Sequence, residues 1–275
     1  MAVIERERYV RDILADRRYD TPGRIIRQGF KVYSQNDEDG IIQEIFRRIG
    51  TTNETFVEFG VEGGLENNSL KLLLEGWSGL WLEGSPEHVE TIRGRFTDLL
   101  AENRLKVREA FIDRDNINVL IGEHFQGEID MISIDIDGND IYILEALEVV
   151  NPRLVVIEYN GKFPPSMSVA QTYNPTHRWH GTDYGGSSLT AITKVAAKKG
   201  YSLVGCNVTG VNAFFVRNDL LVGSFPALDQ PQGLPDQHRF CQNTSPDNHY
   251  EPARYFLGQT YISGHGPAWG PYRQF

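Results

Sequence analysis

Cysteine is nearly missing from this chain: Cys206 and Cys241 are the only two, with no close pair and no C-x-x-C. A disulfide framework and a thiolate metal site are therefore unsupported, and a reducing compartment is the expected setting. No run of about 18 apolar residues occurs, so a helical membrane span is not expected. The opening segment, MAVIERERYVRDILADRR, is charged too early to hold the apolar stretch of a secretory signal. A cytoplasmic location follows as the expectation. Positive charge is scarce too: 27 Lys and Arg stand against 37 Asp and Glu, a formal net charge of -10. Such a surface repels phosphate backbones, so neither nucleic acid nor a membrane is expected as a partner. Arg17, Arg18, Arg24 and Arg27, the densest basic group, are diluted by Asp16 and Asp20. Also lacking is the G-x-G-x-x-G of dinucleotide sites.

What is present is an ordinary globular composition, 40% hydrophobic and 23% charged, in a chain long enough to bury a core. The first fifty residues read as helical, most clearly over 38–48, where Ile41, Ile42, Ile45 and Phe46 share one face. Short apolar runs then alternate with helical patterns. Strands are expected at 55–59, 79–82, 105–110, 129–134 and 154–157, with helices at 69–75, 86–100, 116–123 and 140–149 between them. That alternation implies a doubly wound, mostly parallel sheet. Its end differs. After a helix at 188–199, the runs 201–206 and 211–216 are separated only by 207–210, too short a link for a parallel crossover, so they form an antiparallel hairpin. The expected architecture is a seven-stranded α/β sheet closed by that hairpin, as in class I methyltransferases. The chain divides into an N-terminal helical extension (1–50), a core (51–218) and an irregular arm (219–275). The arm holds seven of the 13 prolines and many aromatics, suited to packing over the core or onto a second copy of the chain.

Carboxylates punctuate the strand ends. The first strand runs into Glu58-Phe59-Gly60-Val61-Glu62-Gly63-Gly64. Gly60 and Gly64 permit a tight turn and close ligand approach, and Glu58 suits a cationic, amino-acid-bearing ligand while repelling pyrophosphate. The second strand ends in Glu83, where a carboxylate accepts ribose hydroxyls in α/β nucleotide sites. Asp113, after the third, is placed to contact adenine or to cap a helix. The fourth gives Asp135-Ile136-Asp137-Gly138 and the fifth Glu158-Tyr159-Asn160. Side by side, Asp135, Asp137, Glu158 and Asn160 make an oxygen-rich cluster fitted to Mg²⁺, to substrate hydroxyls or to general-base work. The long connection 161–186 brings His177, His180, Asp183 and Tyr184, with His180 a rival for the base and His177 and Tyr184 on the substrate side.

Taken together, YSQNDEDG (33–40), FVEFGVEGG (56–64), LLLEGWSGLWLEGS (72–85), ISIDIDGND (132–140), IEYN (157–160) and NAFFVRND (212–219) resemble the FkbM-like family of S-adenosylmethionine (SAM)-dependent methyltransferases, over about residues 33–218. The resemblance implies SAM held by 58–64 and Glu83, and methyl transfer to a hydroxyl of a sugar or other small natural product. It also makes 34–39, with Gln35 and Asp37, a substrate-side loop. The family's D-x-E-G is here Asp135-Ile136-Asp137-Gly138, which keeps the charge and shortens the reach. A looser similarity to metal-dependent O-methyltransferases implies Asp135, Glu158 and Asn160 as Mg²⁺ ligands, although Tyr159 separates the last two. The alternatives are a nicotinamide-dependent oxidoreductase and a catalytically silent SAM- or sugar-binding protein.

Overall fold

Near-continuous apolar runs bury both faces of the central strands, and the helices that follow supply apolar stripes to cover both. The computed structural model describes residues 11–12, 14–15, 23–164, 166–179, 185–221, 223–225 and 272–275. In chain order these form α1 (Glu38–Ile49), β1 (Thr55–Phe59), α2 (Leu70–Leu74), β2 (Ser78–Glu83), α3 (Pro86–Arg95), α4 (Thr97–Ala101) and β3 (Leu105–Glu109). They continue with α5 (Ile117–Gly122), β4 (Gly127–Ile134), α6 (Asp140–Ala146), β5 (Val150–Glu158), β6 (Val169–Gln171), α7 (Leu189–Lys198), β7 (Tyr201–Cys206), β8 (Asn212–Arg217) and β9 (Tyr272–Gln274).

Seven strands make one sheet in the order β3-β2-β1-β4-β5-β8-β7. β3 to β5 are mutually parallel, and β8 is antiparallel to both β5 and β7. The expected mostly parallel sheet with a terminal antiparallel hairpin is what forms. Phe56, Trp81, Met131, Leu154, Val156 and Phe214 face α1, α2 and α3 in one apolar layer. Val57, Leu80, Ile132, Val155 and Phe215 face α5, α6 and α7 in the other. α1 belongs to the first layer, with Ile41, Ile42 and Ile45 almost completely buried in it.

Three expectations change. The helical reading of the first fifty residues fails over 29–37, which run as bends and irregular chain because their backbone N–H groups are taken by Asp39 and Glu38 side chains rather than by a helix ladder. The helix expected over 86–100 breaks into α3 and α4 at Phe96 (φ -111, ψ 33). The connection 161–186 contains β6, which pairs antiparallel with β9 from the end of the arm. Among the described residues, no helix is long and apolar enough to cross a membrane.

The strand order reverses between β1 and β4. In an open α/β sheet that switch opens a crevice at the carboxyl ends of the strands, and the carboxylates singled out above lie there.

Candidate active site

Gly60, the first residue past β1, has φ +67, a backbone conformation that disfavours a side chain, and a Cβ there would lie 2.1 Å from the Asp135 carbonyl oxygen. Only glycine lets the ends of β1 and β4 touch. Gly64 (φ +78) serves packing instead, because its Cβ would meet Phe96 and Trp81 at 2.9 Å. The turn also holds Glu62 in the left-handed region at φ 48, and the loop after β4 holds Asp137 there at φ 57. Non-glycine residues keep such backbone only where their surroundings fix it, a state concentrated at functional sites.

Glu83, almost buried at the end of β2, accepts the Glu62 N–H at 2.9 Å and the Ser85 N–H at 2.8 Å. It ties the turns after β1 and β2 together, and His88 Nδ1 lies 3.5 Å from its Oε1. Each oxygen retains a lone pair, so the carboxylate can still accept a diol. Glu58 faces inward. Its oxygens take the Asn68 N–H at 2.8 Å, the Ser69 N–H at 2.9 Å and the Ser69 hydroxyl, fixing the entry to α2. Burial pushes its pKa up to about 7, opposed by those hydrogen bonds.

On β4 and β5 the pairing Ile134↔Ile157 brings Asp135 and Glu158 next to each other, on the sheet face shared by Glu58 and Asn212. The two partly exposed carboxyls are hydrogen-bonded to each other. Burial, then neighbouring carboxylates, raises both well above the usual range. Asp140, fully buried at the first turn of α6, accepts the N–H groups of Ile136 and Gly138, both at 2.8 Å. Burial outweighs these bonds and raises it to about 6. Asp135, Asp140 and Glu158 each offer an oxygen within 4.8 Å of the others'. Among the described residues, none of Glu58, Asp135, Asp137, Asp140 and Glu158 forms an ion pair with Lys or Arg.

Most of the remaining predicted residues have contacts within the chain. Asp113 Oδ1 accepts the N–H groups of Asp115 and Asn116, both at 2.8 Å, as a cap before α5. Asn160 engages its amide with the Gly185 carbonyl (3.0 Å) and the Lys162 N–H (3.1 Å), and Asp140 joins Asp135 and Glu158 in a triad of carboxyls. Asp37 accepts the Val208 N–H at 3.3 Å, and Gln35 is exposed. His177 places Nε2 3.2 Å from the Asp137 carbonyl oxygen, at the mouth of the crevice beside exposed Asp137. His180, Asp183 and Tyr184 lie outside the described residues.

Asp140 opens α6, yet its carboxylate accepts N–H groups of the preceding loop rather than of the helix, which brings it beside Asp135. Gln171, far away in sequence, was not foreseen. Fully buried, it accepts the Gly186 N–H at 3.1 Å and packs against Gly138, and no local pattern marks it.

No family model matches the chain, and no curated protein matches it. Solved structures do. One is an O-methyltransferase from Bacillus cereus in complex with S-adenosylhomocysteine (SAH), at 15% identity over 75% of this chain and 88% of that chain, TM-score 0.43. Another is magnesium protoporphyrin IX methyltransferase from Synechocystis PCC 6803 with bound SAM, at 15% identity over 76% and 95%, TM-score 0.43. A third is an SAH-bound methyltransferase from Podospora anserina, at 17% identity over 64% and 76%, TM-score 0.42.

Proposed function

We propose that this chain transfers a methyl group from SAM to a hydroxyl oxygen of a small-molecule acceptor, a sugar or other natural product, as an FkbM-like methyltransferase of the cytoplasm. The observation that carries this is the edge of five carboxyls at the switch of the sheet, unpaired with Lys or Arg among the described residues. Such a site favours a positively charged guest and opposes a pyrophosphate. SAM brings a sulfonium and an α-ammonium, and its ribose presents a diol to Glu83. A nicotinamide dinucleotide brings the wrong charge to a turn that lacks G-x-G-x-x-G.

The acceptor oxygen attacks the methyl carbon in line as the carbon–sulfur bond breaks toward sulfur, and the hydroxyl proton passes to a carboxylate. Asp135 and Glu158 are placed to take it, with Asp137 at the mouth. Most acceleration comes from holding donor and acceptor in attack geometry. Asp135, Asp140 and Glu158 also fit a hard divalent cation such as Mg²⁺, being all-oxygen and mutually close. When bound, such an ion lowers the acceptor hydroxyl's pKa. Turnover by metal-stripped protein separates the two versions: full activity assigns the proton to the carboxylates, and loss restored by Mg²⁺ assigns the ion. Isothermal titration with SAM and NAD tests the function itself, and binding of NAD alone overturns it.

A further inference from the structure

Asn212 opens β8 and stands directly across from Glu158, on the same face of the sheet as the Asp135–Glu158 pair. Cross-strand partners of this kind hold their Cβ atoms about 4.5–5.5 Å apart. Asn212 is buried, 3% exposed. Its Nδ2 donates to Glu38 Oε1 at 3.0 Å, an oxygen that also accepts the Asn207 amide at 2.7 Å. A carboxyl oxygen in that accepting role fixes which end of the Asn212 amide faces it, namely the nitrogen. Oδ1 is thereby turned off Glu38, and it has no hydrogen-bond partner among the described residues. Buried carbonyl oxygens nearly always have a donor, because lacking one costs free energy.

The donors around it are engaged elsewhere. Asn207 Oδ1 takes the N–H groups of Val211 and Asn212 at 2.9 and 3.0 Å, and the Tyr159 N–H goes to the Val211 carbonyl at 2.8 Å. Sheet order then indicates which molecule supplies the donor. The residues assigned to the cofactor end β1 and β2, the carboxyls that take the proton end β4 and β5, and Asn212 lies beyond them in the order β2-β1-β4-β5-β8. Methyl transfer sets sulfur, methyl carbon and acceptor oxygen on one line, so the acceptor approaches from the side away from the cofactor. Asn212 Oδ1 is on that side.

We propose that Asn212 recognises the methyl acceptor, its Oδ1 accepting a hydrogen bond from a second hydroxyl on the carbon beside the one that is methylated. The reacting hydroxyl donates to the Asp135–Glu158 pair while its neighbour donates to Oδ1, two adjacent acceptors for two adjacent donors. This inference rests on the SAM reading and narrows the acceptor to a vicinal diol, such as a pyranose carries. It also limits the product. Once one oxygen bears the methyl group it has no proton to donate, and turning the molecule round would set an ether oxygen against Oδ1. Each diol is therefore methylated once.

Methyl-transfer assays with the full chain, SAM and a panel of methyl hexopyranosides test it, each sugar run beside the monodeoxy analogue that lacks the neighbouring hydroxyl. The product should carry a single added methyl, and loss of the neighbouring hydroxyl should lower kcat/KM at least about tenfold. Asn212→Ala should lower kcat/KM for the intact sugar by a similar factor and leave the deoxy analogue unchanged, so that their ratio falls to near one. SAM affinity should stay at the parent value. A merely structural role would lower both sugars together and keep the ratio. Asn212→Ser, which retains a donor for Glu38, carries the same expectation should the alanine variant not fold. Equal turnover of sugar and deoxy analogue by the parent, a ratio left intact by the substitution, or SAM binding with no pyranoside methylated overturns the inference and leaves the SAM reading standing. Failure of the parent chain to bind SAM overturns both.

Discussion

Two acidic segments of nearly the same composition, Asp37-Glu38-Asp39 and Asp135-Ile136-Asp137, end in opposite circumstances. Around the first, donors converge. Asp39 Oδ2 takes the N–H groups of Val32, Tyr33 and Ser34 at 2.7 to 2.9 Å. Glu38 takes the Asn36 N–H at 2.7 Å and the side-chain amides of Asn207 and Asn212 at 2.7 and 3.0 Å. Around the second, carboxyl meets carboxyl. The first set clamps the entry of α1 to the β7–β8 turn, and the second has carboxyl neighbours where the first has donors. What separates structure from chemistry is the supply of donors, since a buried acceptor lacking one is costly unless something else binds it.

Substitutions should pull the two segments apart. Asp135→Asn and Glu158→Gln should each lower turnover on the order of a hundredfold to ten-thousandfold, the scale of a lost general base. Thermal melting should show no loss of stability, because each change relieves like-charge repulsion. Glu38→Ala should do the reverse. It strands three buried donors at about 1–3 kcal/mol each, and denaturant titration should report a loss of at least about 3 kcal/mol. A stable Glu38→Ala chain, or an Asp135→Asn chain that unfolds, breaks the comparison.

Glu83 stands between the extremes, accepting two backbone N–H groups while each oxygen keeps a lone pair. Glu83→Ala should weaken SAM by about 1.5–3 kcal/mol through lost charge-assisted hydrogen bonds, read as a roughly tenfold to hundredfold higher dissociation constant.

A pH-dependent effect belongs to Glu58, whose pKa burial raises from 4.5 to about 7. Its folded form therefore binds the proton more tightly than the unfolded chain. That contribution is complete below about pH 4.5 and is lost as pH rises toward 7, by at most about 3 kcal/mol. Denaturant midpoints taken from pH 4.5 to 7.5 should decline in the parent chain, and Glu58→Gln should flatten the slope.

The sheet was legible because its signals are local and redundant. The 55–59 and 201–206 strands fall where alternation puts them, and the four residues between the last two runs force the hairpin. The break at Phe96 was hidden because the apolar periodicity continues on both sides of it. β6 was missed because three residues carry no periodicity and their partner lies about a hundred positions onward. At the site, strand-end carboxylates could be placed from spacing alone, but their orientation could not. Whether Asp113 caps a helix or faces a ligand depends on which N–H groups point at it, and Asp140 enters the triad only through the fold of its own loop.

Calorimetric titration of the full chain with SAM, SAH and NAD in turn tests the central claim most directly. SAM and SAH should bind in the micromolar range, roughly -8 kcal/mol, with no heat from NAD. Binding of NAD with none of SAM or SAH would contradict the account.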